Sequence, residues 1–285
     1  MLATYHCHST FSDGRDDLPE LVARARAAGV RHLGISDHLT ILPQGGPTPP
    51  WSVDAARVGA YVDAVRAEQT RDDITVLASL EVDWFPEPHV LRALDAAMND
   101  HDWDYLIGSV HYVGAFGVDA SADRWRPLGE TERDDIHRRY WIEIANLARS
   151  RRFDIVGHID LPKKFNCRPR TVPHAEIDAA LDAVADADLV VELNTAGWHK
   201  PCQDAYPTLD LLRACHARHI PVTLSSDAHR AEHLLRDFRA AADRLAAAGY
   251  DRVARFRAGA RTFEPLADAV AGLPDPTGDV QLDDF

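Results

Sequence analysis

The 285-residue sequence contains only four cysteines, Cys7, Cys167, Cys202 and Cys215, and no two stand in C-x-x-C spacing. That excludes a zinc ribbon or a dense disulfide framework, so the four read as reduced thiols, mostly small core residues. No run of 18 apolar residues occurs, so no segment reads as a membrane span. The opening MLATYHCHST lacks the charged and apolar regions of a secretory leader, and the expected location is the cytoplasm. Positive charge is scarce too: 31 Lys and Arg face 45 Asp and Glu, a formal net charge of −14. Nucleic acid and membrane surfaces both require a basic face, so neither is an expected partner. There is no G-x-S-x-G, and no cysteine has an activating setting, which removes Ser and Cys nucleophiles.

What is present is an alternation of short β-type runs with Ala-rich helical stretches. Strands are predicted at Leu2–Tyr5, His32–Ser36, Ile74–Leu80, Tyr105–Ser109, Phe153–Gly157, Leu189–Leu193 and Pro221–Ser225. Between and after them, helical spacing covers Leu18–Ala28, Val53–Gln69, about Val90–Asn99, Glu132–Ser150, Ala175–Ala187, Thr208–Ala217 and Ala231–Ala248. Seven such units without a composition break predict one domain over residues 1–270. Residues 271–285 form an acidic tail, expected to be loosely held. Strand–helix alternation implies parallel strands with helices packed outside, as an open sheet or a closed barrel.

The strand ends decide between the two. The first strand runs into His6 and His8, an H-x-H pair that shares one face of an extended segment. The second ends in Asp37 and His38, the third in Glu81, the fourth in His111 and the fifth in His158. The sixth delivers Asn194, and the seventh Asp227 and His229. A single histidine in such a place is an ordinary cap or packing residue. His32, His89, His101, His137, His174, His216, His219 and His233 are read that way. Six of seven strands ending in ligand-type side chains is another matter, because a barrel brings those ends together at its C-terminal face. The prediction is a metal cluster there. Imidazole with carboxylate and without thiolate suits Zn, Mn or Fe. The number of donors suits two to three divalent ions.

These residues resemble the polymerase-and-histidinol-phosphatase (PHP) superfamily. The resemblance rests on His6-Cys7-His8-Ser9-Thr10-Phe11-Ser12-Asp13-Gly14, Ser36-Asp37-His38, Gly108-Ser109-Val110-His111, Gly157-His158 and Ser226-Asp227-Ala228-His229. Within it, Gly157-His158-Ile159-Asp160-Leu161-Pro162-Lys163-Lys164-Phe165 is similar to a motif of histidinol-phosphate phosphatases. So is Glu192-Leu193-Asn194-Thr195-Ala196-Gly197. The resemblance implies a distorted seven-stranded (β/α)7 TIM-like barrel and a trinuclear site. One ion takes His6, His8, Glu81 and Asp227, a second shares Glu81 with His111 and His158, and a third takes Asp13, His38 and His229. Asp16 and Asp17 compete with Asp13 for its place.

The implied activity is hydrolysis of L-histidinol phosphate, a step of histidine biosynthesis, by water activated on the metals. The expected partner is thus a small phosphorylated substrate. A PHP phosphatase of nucleotides or other small phosphoesters is the alternative, and a non-catalytic metal-binding module a lesser one. Lys163, Lys164, Asn194 and Arg230 are the expected substrate contacts. Where members usually read Gly-Leu-Arg-Lys, this chain has Gly197-Trp198-His199-Lys200. His199 therefore stands in for a phosphate-holding Arg, and is expected to bind phosphate or protonate the leaving alkoxide. Asp37 is a candidate orienter of His38. The Pro-rich segment Leu42–Trp51 reads as a cover or a stiff surface loop, and Gly114–Trp125 as another wall, with Phe116 and Trp125 as apolar contacts.

Overall fold

A computed structural model describes residues 1–69 and 73–273. The expected tail falls largely at 274–285, outside the described residues. Two sheets carry the parallel strands. One orders Leu2–Thr4, Val30–Ile35 and Thr75–Ala78. The other orders Val222–Ser225, Val190–Asn194, Ile155–Val156, Ile107–Ser109, Glu81–Asp83 and His38–Leu39. Every pairing within these sheets is parallel. Helices stand between most successive strands of these sheets, as the hydrophobic spacing predicts.

Among the described residues nine parallel strands stand where seven are predicted, because His38–Leu39 and Glu81–Asp83 form beyond the ends of the predicted His32–Ser36 and Ile74–Leu80. Val30–Ile35 stops at Ser36-Asp37 before His38–Leu39, and Thr75–Ala78 stops at Ser79-Leu80 before Glu81–Asp83. At both breaks the backbone crosses between sheets. Ser36 N–H donates to the Cys7 carbonyl (2.9 Å), and Glu81 N–H to those of Ser36 and Asp37 (3.2 and 3.1 Å). Cys7 also bridges Ala228 in parallel, with His8 N–H donating to the Ala228 carbonyl at 2.9 Å. The breaks fall where His38 and Glu81 must turn inward, so local irregularity and site geometry share one cause.

Two layers fill the space between the strands. Where the strands begin, Ala3, Tyr5, Leu77, Tyr105, Ile107, Ile155 and Val190 form a buried apolar cluster with Ala254 and Phe256. Tyr5 meets Tyr105 and Phe256 edge-on, with centroids 5.4 and 5.6 Å away. Ala254 and Phe256 belong to the antiparallel hairpin Arg252–Arg257/Ala260–Pro265, for which the sequence reading had no counterpart. Where the strands end, polar residues replace the apolar layer, and that is the level of the site.

Helix limits largely follow the local chemistry. Leu18–Ala27 begins where the Asp17 carboxylate accepts Glu20 N–H (3.0 Å) and ends before Gly29, at φ 77°. Glu130–Ser150 buries Ile136, Tyr140, Trp141, Ile144, Leu147 and Ala148, a stripe at helical spacing. Two predicted helices are shorter than expected. Val53–Gln69 becomes a 3-10 turn, Ala55–Arg57, capped by Asp54, and a helix over Val58–Ala67. Ala231–Ala248 splits into a turn, Ala231–His233, and a helix, Phe238–Ala248. The cause is capture of carbonyls by side chains: Ser226 Oγ takes Leu234 O at 3.0 Å and Thr195 Oγ1 takes Arg236 O at 2.8 Å. No helix among the described residues is long and apolar enough to cross a membrane.

Candidate metal centre

The nine predicted ligands form one continuous network around Glu81. Its carboxylate lies 3.2 Å from His6 Nε2, 2.9 Å from His38 Nδ1, 2.9 Å from His158 Nε2 and 3.5 Å from His111 Nε2. Asp227 stands 3.1 Å from His8 Nε2 and 3.6 Å from His6 Nε2. Asp13 reaches His229 Nε2 at 3.3 Å and His38 Nε2 at 3.6 Å. Of the three candidate carboxylates, Asp13 is the one beside these rings, and the other two have hydrogen bonds elsewhere. Asp17 caps a helix, and Asp16 accepts Ala231 N–H at 2.7 Å.

Three sets of converging donor atoms can hold a metal ion: His8, Asp13, His38 and His229; His6, His8 and Glu81; His38, Glu81 and His111. The fit is supported by orphaned atoms. His6 Nε2, His8 Nδ1, Glu81 Oε2 and His158 Nδ1 are buried side-chain atoms without a hydrogen-bond partner. Several such groups in one place are costly unless a cation satisfies them.

Electrostatics point the same way. Burial disfavours charge on His6, yet Glu192, Asp227 and Glu81 raise its pKa well above the ordinary imidazole value. Burial likewise opposes charge on His38 and His111, but Glu81 lifts the first to about 9, and Asp83 with Glu81 lifts the second to about 10. His8 goes the other way, down to about 3, through burial and the neighbouring His229 and His38. Against their own burial, Glu81 and Asp227 stay well below the usual carboxylate range, held there by the surrounding imidazoles. Ionised carboxylates and imidazoles competing for protons form a cavity built for positive charge.

A supporting shell surrounds the donors, and the sequence reading missed two of its members. Glu192 accepts from His6 Nδ1 (2.9 Å), His158 N–H (2.7 Å), Asn194 Nδ2 (2.9 Å) and Ser225 Oγ (2.6 Å). Asp83 meets His111 Nδ1 at 2.5 Å. Both carboxylates fix a ring nitrogen that faces away from the centre, which sets the tautomer and aims the other nitrogen inward. Asp37 does a different job from the expected one. It accepts Ser9 N–H and Oγ (2.8 and 2.7 Å) and Ser12 N–H (3.1 Å), so it anchors the turn that carries Asp13 rather than His38.

The PHP domain family matches residues 4–196. The chain belongs to that family. A Deinococcus radiodurans protein named "Probable histidinol-phosphatase" is 35% identical over 237 residues, 80% of this chain and 86% of that one. A Thermotoga maritima protein of the same name is 22% identical, over 80% and 84%. A crystal structure of histidinol phosphate phosphatase from Lactococcus lactis, complexed with zinc, L-histidinol and phosphate, superposes with a TM-score of 0.73. It is 20% identical and covers 92% of this chain and 98% of that one, so the fold is shared.

Around this PHP centre the expected substrate contacts separate. Lys163 is 4% exposed, and its ammonium is held by Asp160 (2.9 Å), Asp204 (3.0 Å) and the Ala205 carbonyl (2.6 Å). Three acceptors use its three donors, so it fastens the loop internally, a correction to the expected phosphate contact. Asn194 also turns inward: its amide donates to Glu192 and to Asp227 (3.3 Å), and its oxygen accepts Ala196 N–H (2.9 Å). It positions Asp227 rather than facing a substrate. Lys164 lies at the rim with Asp119, and Arg230 is half-buried with Glu232 3.8 Å away. His199 is buried with Nε2 2.5 Å from Asp237. Trp125 is fully buried, its indole donating to Val118, and so lies behind the Gly114–Trp125 wall rather than on it. Leu42–Trp51 is a loop that leaves Trp51 exposed. Its Thr48, Pro49 and Pro50 line a cavity of about 210 Å³ with Phe11 and Arg57.

One close approach supplies a test. A Cβ on Gly157 would stand 2.3 Å from Ser109 Oγ, the hydroxyl that donates to Glu81 at 2.6 Å. Gly157→Ala is expected to destabilise the fold by about 1–3 kcal/mol, the usual range for overpacking, and to weaken metal retention. Urea denaturation with metal analysis reads both effects. Unchanged stability and metal content would show that the strand can yield there.

Proposed function

We propose that the protein is a metal-dependent phosphomonoester hydrolase that converts L-histidinol phosphate and water to L-histidinol and phosphate. The observation that carries this reading is the convergence of His6, His8, Asp13, His38, Glu81, His111, His158, Asp227 and His229 on one network centred on Glu81. The Deinococcus relative's name and the zinc, histidinol and phosphate of the Lactococcus neighbour support the substrate. In this reading the two sheets curl into one distorted barrel of seven strand positions, and residues 1–270 act as a single cytoplasmic domain. The site holds two to three ions of Zn, Mn or Fe.

When bound, the ions lower the pKa of water and offset charge developing on the phosphoryl oxygens. The chain's own groups do the rest. Glu81 offers one oxygen toward His6 and His38 and the other toward His158 and His111, so both oxygens would be available to hold ions. Glu192, Asp83 and Asn194 keep His6, His111 and Asp227 in the orientation they already have, so little reorganisation precedes the reaction. Lys164 and Arg230 bind phosphate from the rim. His199, oriented by Asp237, contacts phosphate or returns a proton to the leaving alkoxide.

The alternative, another small phosphoester, is favoured by one observation: His199 replaces the guanidinium that members usually bring to phosphate. Turnover of histidinol phosphate is expected to exceed that of a simple aryl phosphate by at least about 10²-fold in kcat/KM. Elemental analysis of the same sample is expected to find at least two transition metals per chain. Equal rates on both esters would refute the substrate, and a fully active metal-free sample would refute the mechanism.

A further inference from the structure

Lys164 and Asp119 sit on the two loops that leave the strands ending at His111 and His158. Asp119 follows a short hairpin tied back by Val118 N–H to the His111 carbonyl (2.9 Å). Lys164 follows a turn tied by Leu161 N–H to the His158 carbonyl (2.9 Å). The ammonium donates to the Asp119 backbone carbonyl (3.1 Å) and meets its carboxylate at 3.3 Å. Both side chains keep part of their surface open, 20% and 28%. No described residue donates to the other Asp119 oxygen, and one N–H of Lys164 likewise remains. Burial works against charge on Asp119, but Lys164, His111 and His158 keep it ionised, which places the carboxylate within the field of the centre. The pair thus presents one positive and one negative group side by side at the mouth, while Lys163 is saturated.

Resting on the proposed reading, the substrate is a phosphate ester whose ammonium group lies one carbon beyond the ester CH2. It too carries opposite charges a few ångströms apart. We propose that the Lys164–Asp119 pair is the selector for this zwitterion: on binding, Lys164 transfers to the phosphate and Asp119 to the ammonium. One ion pair is exchanged for two, and no charge is left unpartnered in a partly buried place. An ester without the amine would gain only half of the exchange and leave Asp119 deserted. Asp119 is therefore a specificity-determining residue, and Lys164 a phosphate contact.

The test compares L-histidinol phosphate with its deamino analogue, 3-(imidazol-4-yl)propyl phosphate, in the metal-loaded protein. The wild type is expected to prefer the amine-bearing ester by about 10- to 100-fold in kcat/KM, the scale set by losing one charged hydrogen-bond partner. Asp119→Asn is expected to erase most of that preference while holding or raising the rate on the analogue. Asp119→Glu, which keeps the charge, is expected to retain part of it. Lys164→Gln is expected to lower both rates to a similar degree. A wild type that turns over histidinol phosphate without preferring it overturns this inference alone. So does a preference that survives Asp119→Asn, or a fall of equal size on both esters in both Asp119 variants. A wild type that hydrolyses neither ester overturns the proposed function and this inference with it.

Discussion

Glu81→Gln is expected to reduce kcat by roughly 10³-fold or more and to remove at least one metal ion per chain, with the fold retained. Glutamine has nearly the same shape as glutamate, so packing at this fully buried position survives. Both the charge and the bridging capacity are lost. In the native site Glu81 is the main group that lifts His38 against its burial, and with Asp83 it lifts His111. Four histidine rings depend on it for an inward partner within 3.5 Å. Elemental analysis, circular dichroism and steady-state kinetics on one preparation separate the possibilities. Ser109→Ala is the milder control, since it removes only the hydroxyl that donates to Glu81 at 2.6 Å. Its expected effect is about tenfold, one hydrogen bond to a charged group. A Gln variant that retains its metals and more than a tenth of the activity would displace Glu81 from the centre.

The residues that bring donors together were legible because strand ends in a parallel α/β fold share one side. His6, His8, Glu81, His111 and Asp227 could be placed without knowing any distance. The supporting carboxylates were harder to see. Asp83 stands two residues beyond Glu81, on the same face of a strand, and that spacing was a usable signal. Glu192 sits inside the wholly buried strand Val190–Asn194, where a lone carboxylate must have partners. Its presence was readable but its partners were not, since they come from His6, His158 and Ser225. The same limit explains Lys163. A basic residue after a ligand-bearing strand looks free until Asp204 and Ala205, some forty residues away, are seen to hold it. The hairpin at Arg252–Pro265 was hidden for another reason: Arg255, buried on the face opposite Ala254 and Phe256 and matched by Glu264 at 2.7 Å, interrupts the apolar run that marks a strand covered on both faces.

Removing the metals with a chelator is expected to abolish turnover, and to lower the melting temperature by an amount that grows with pH. Ligands that bind only the folded state stabilise it by about 4 kcal/mol at a thousandfold excess over Kd, which corresponds to about 7 °C for a chain of this size. The sign of the pH dependence follows from the imidazoles. In the metal-free protein His38 and His111 are raised to about 9 and about 10, above the ordinary value of about 6.5. A raised group contributes stability that is complete below its unfolded pKa and is lost as pH climbs through its folded pKa. The metal-free protein therefore weakens between about pH 6.5 and 10. The metal-loaded form would not weaken over the same window, because metal-held imidazoles are neutral there as they are in the unfolded chain, so the gap widens as the metal-free site loses its protons. At the acidic end, the surrounding imidazoles hold Glu81 and Asp227 well below the usual carboxylate range, so both are ionised throughout this window. They therefore add little slope between pH 6 and 9. Melting curves with and without chelator at pH 6, 7.5 and 9 measure the gap directly. A gap that is constant or narrows toward pH 9 would mean that protons and metals do not compete for these histidines, and the cluster would then be held together by something other than its affinity for cations.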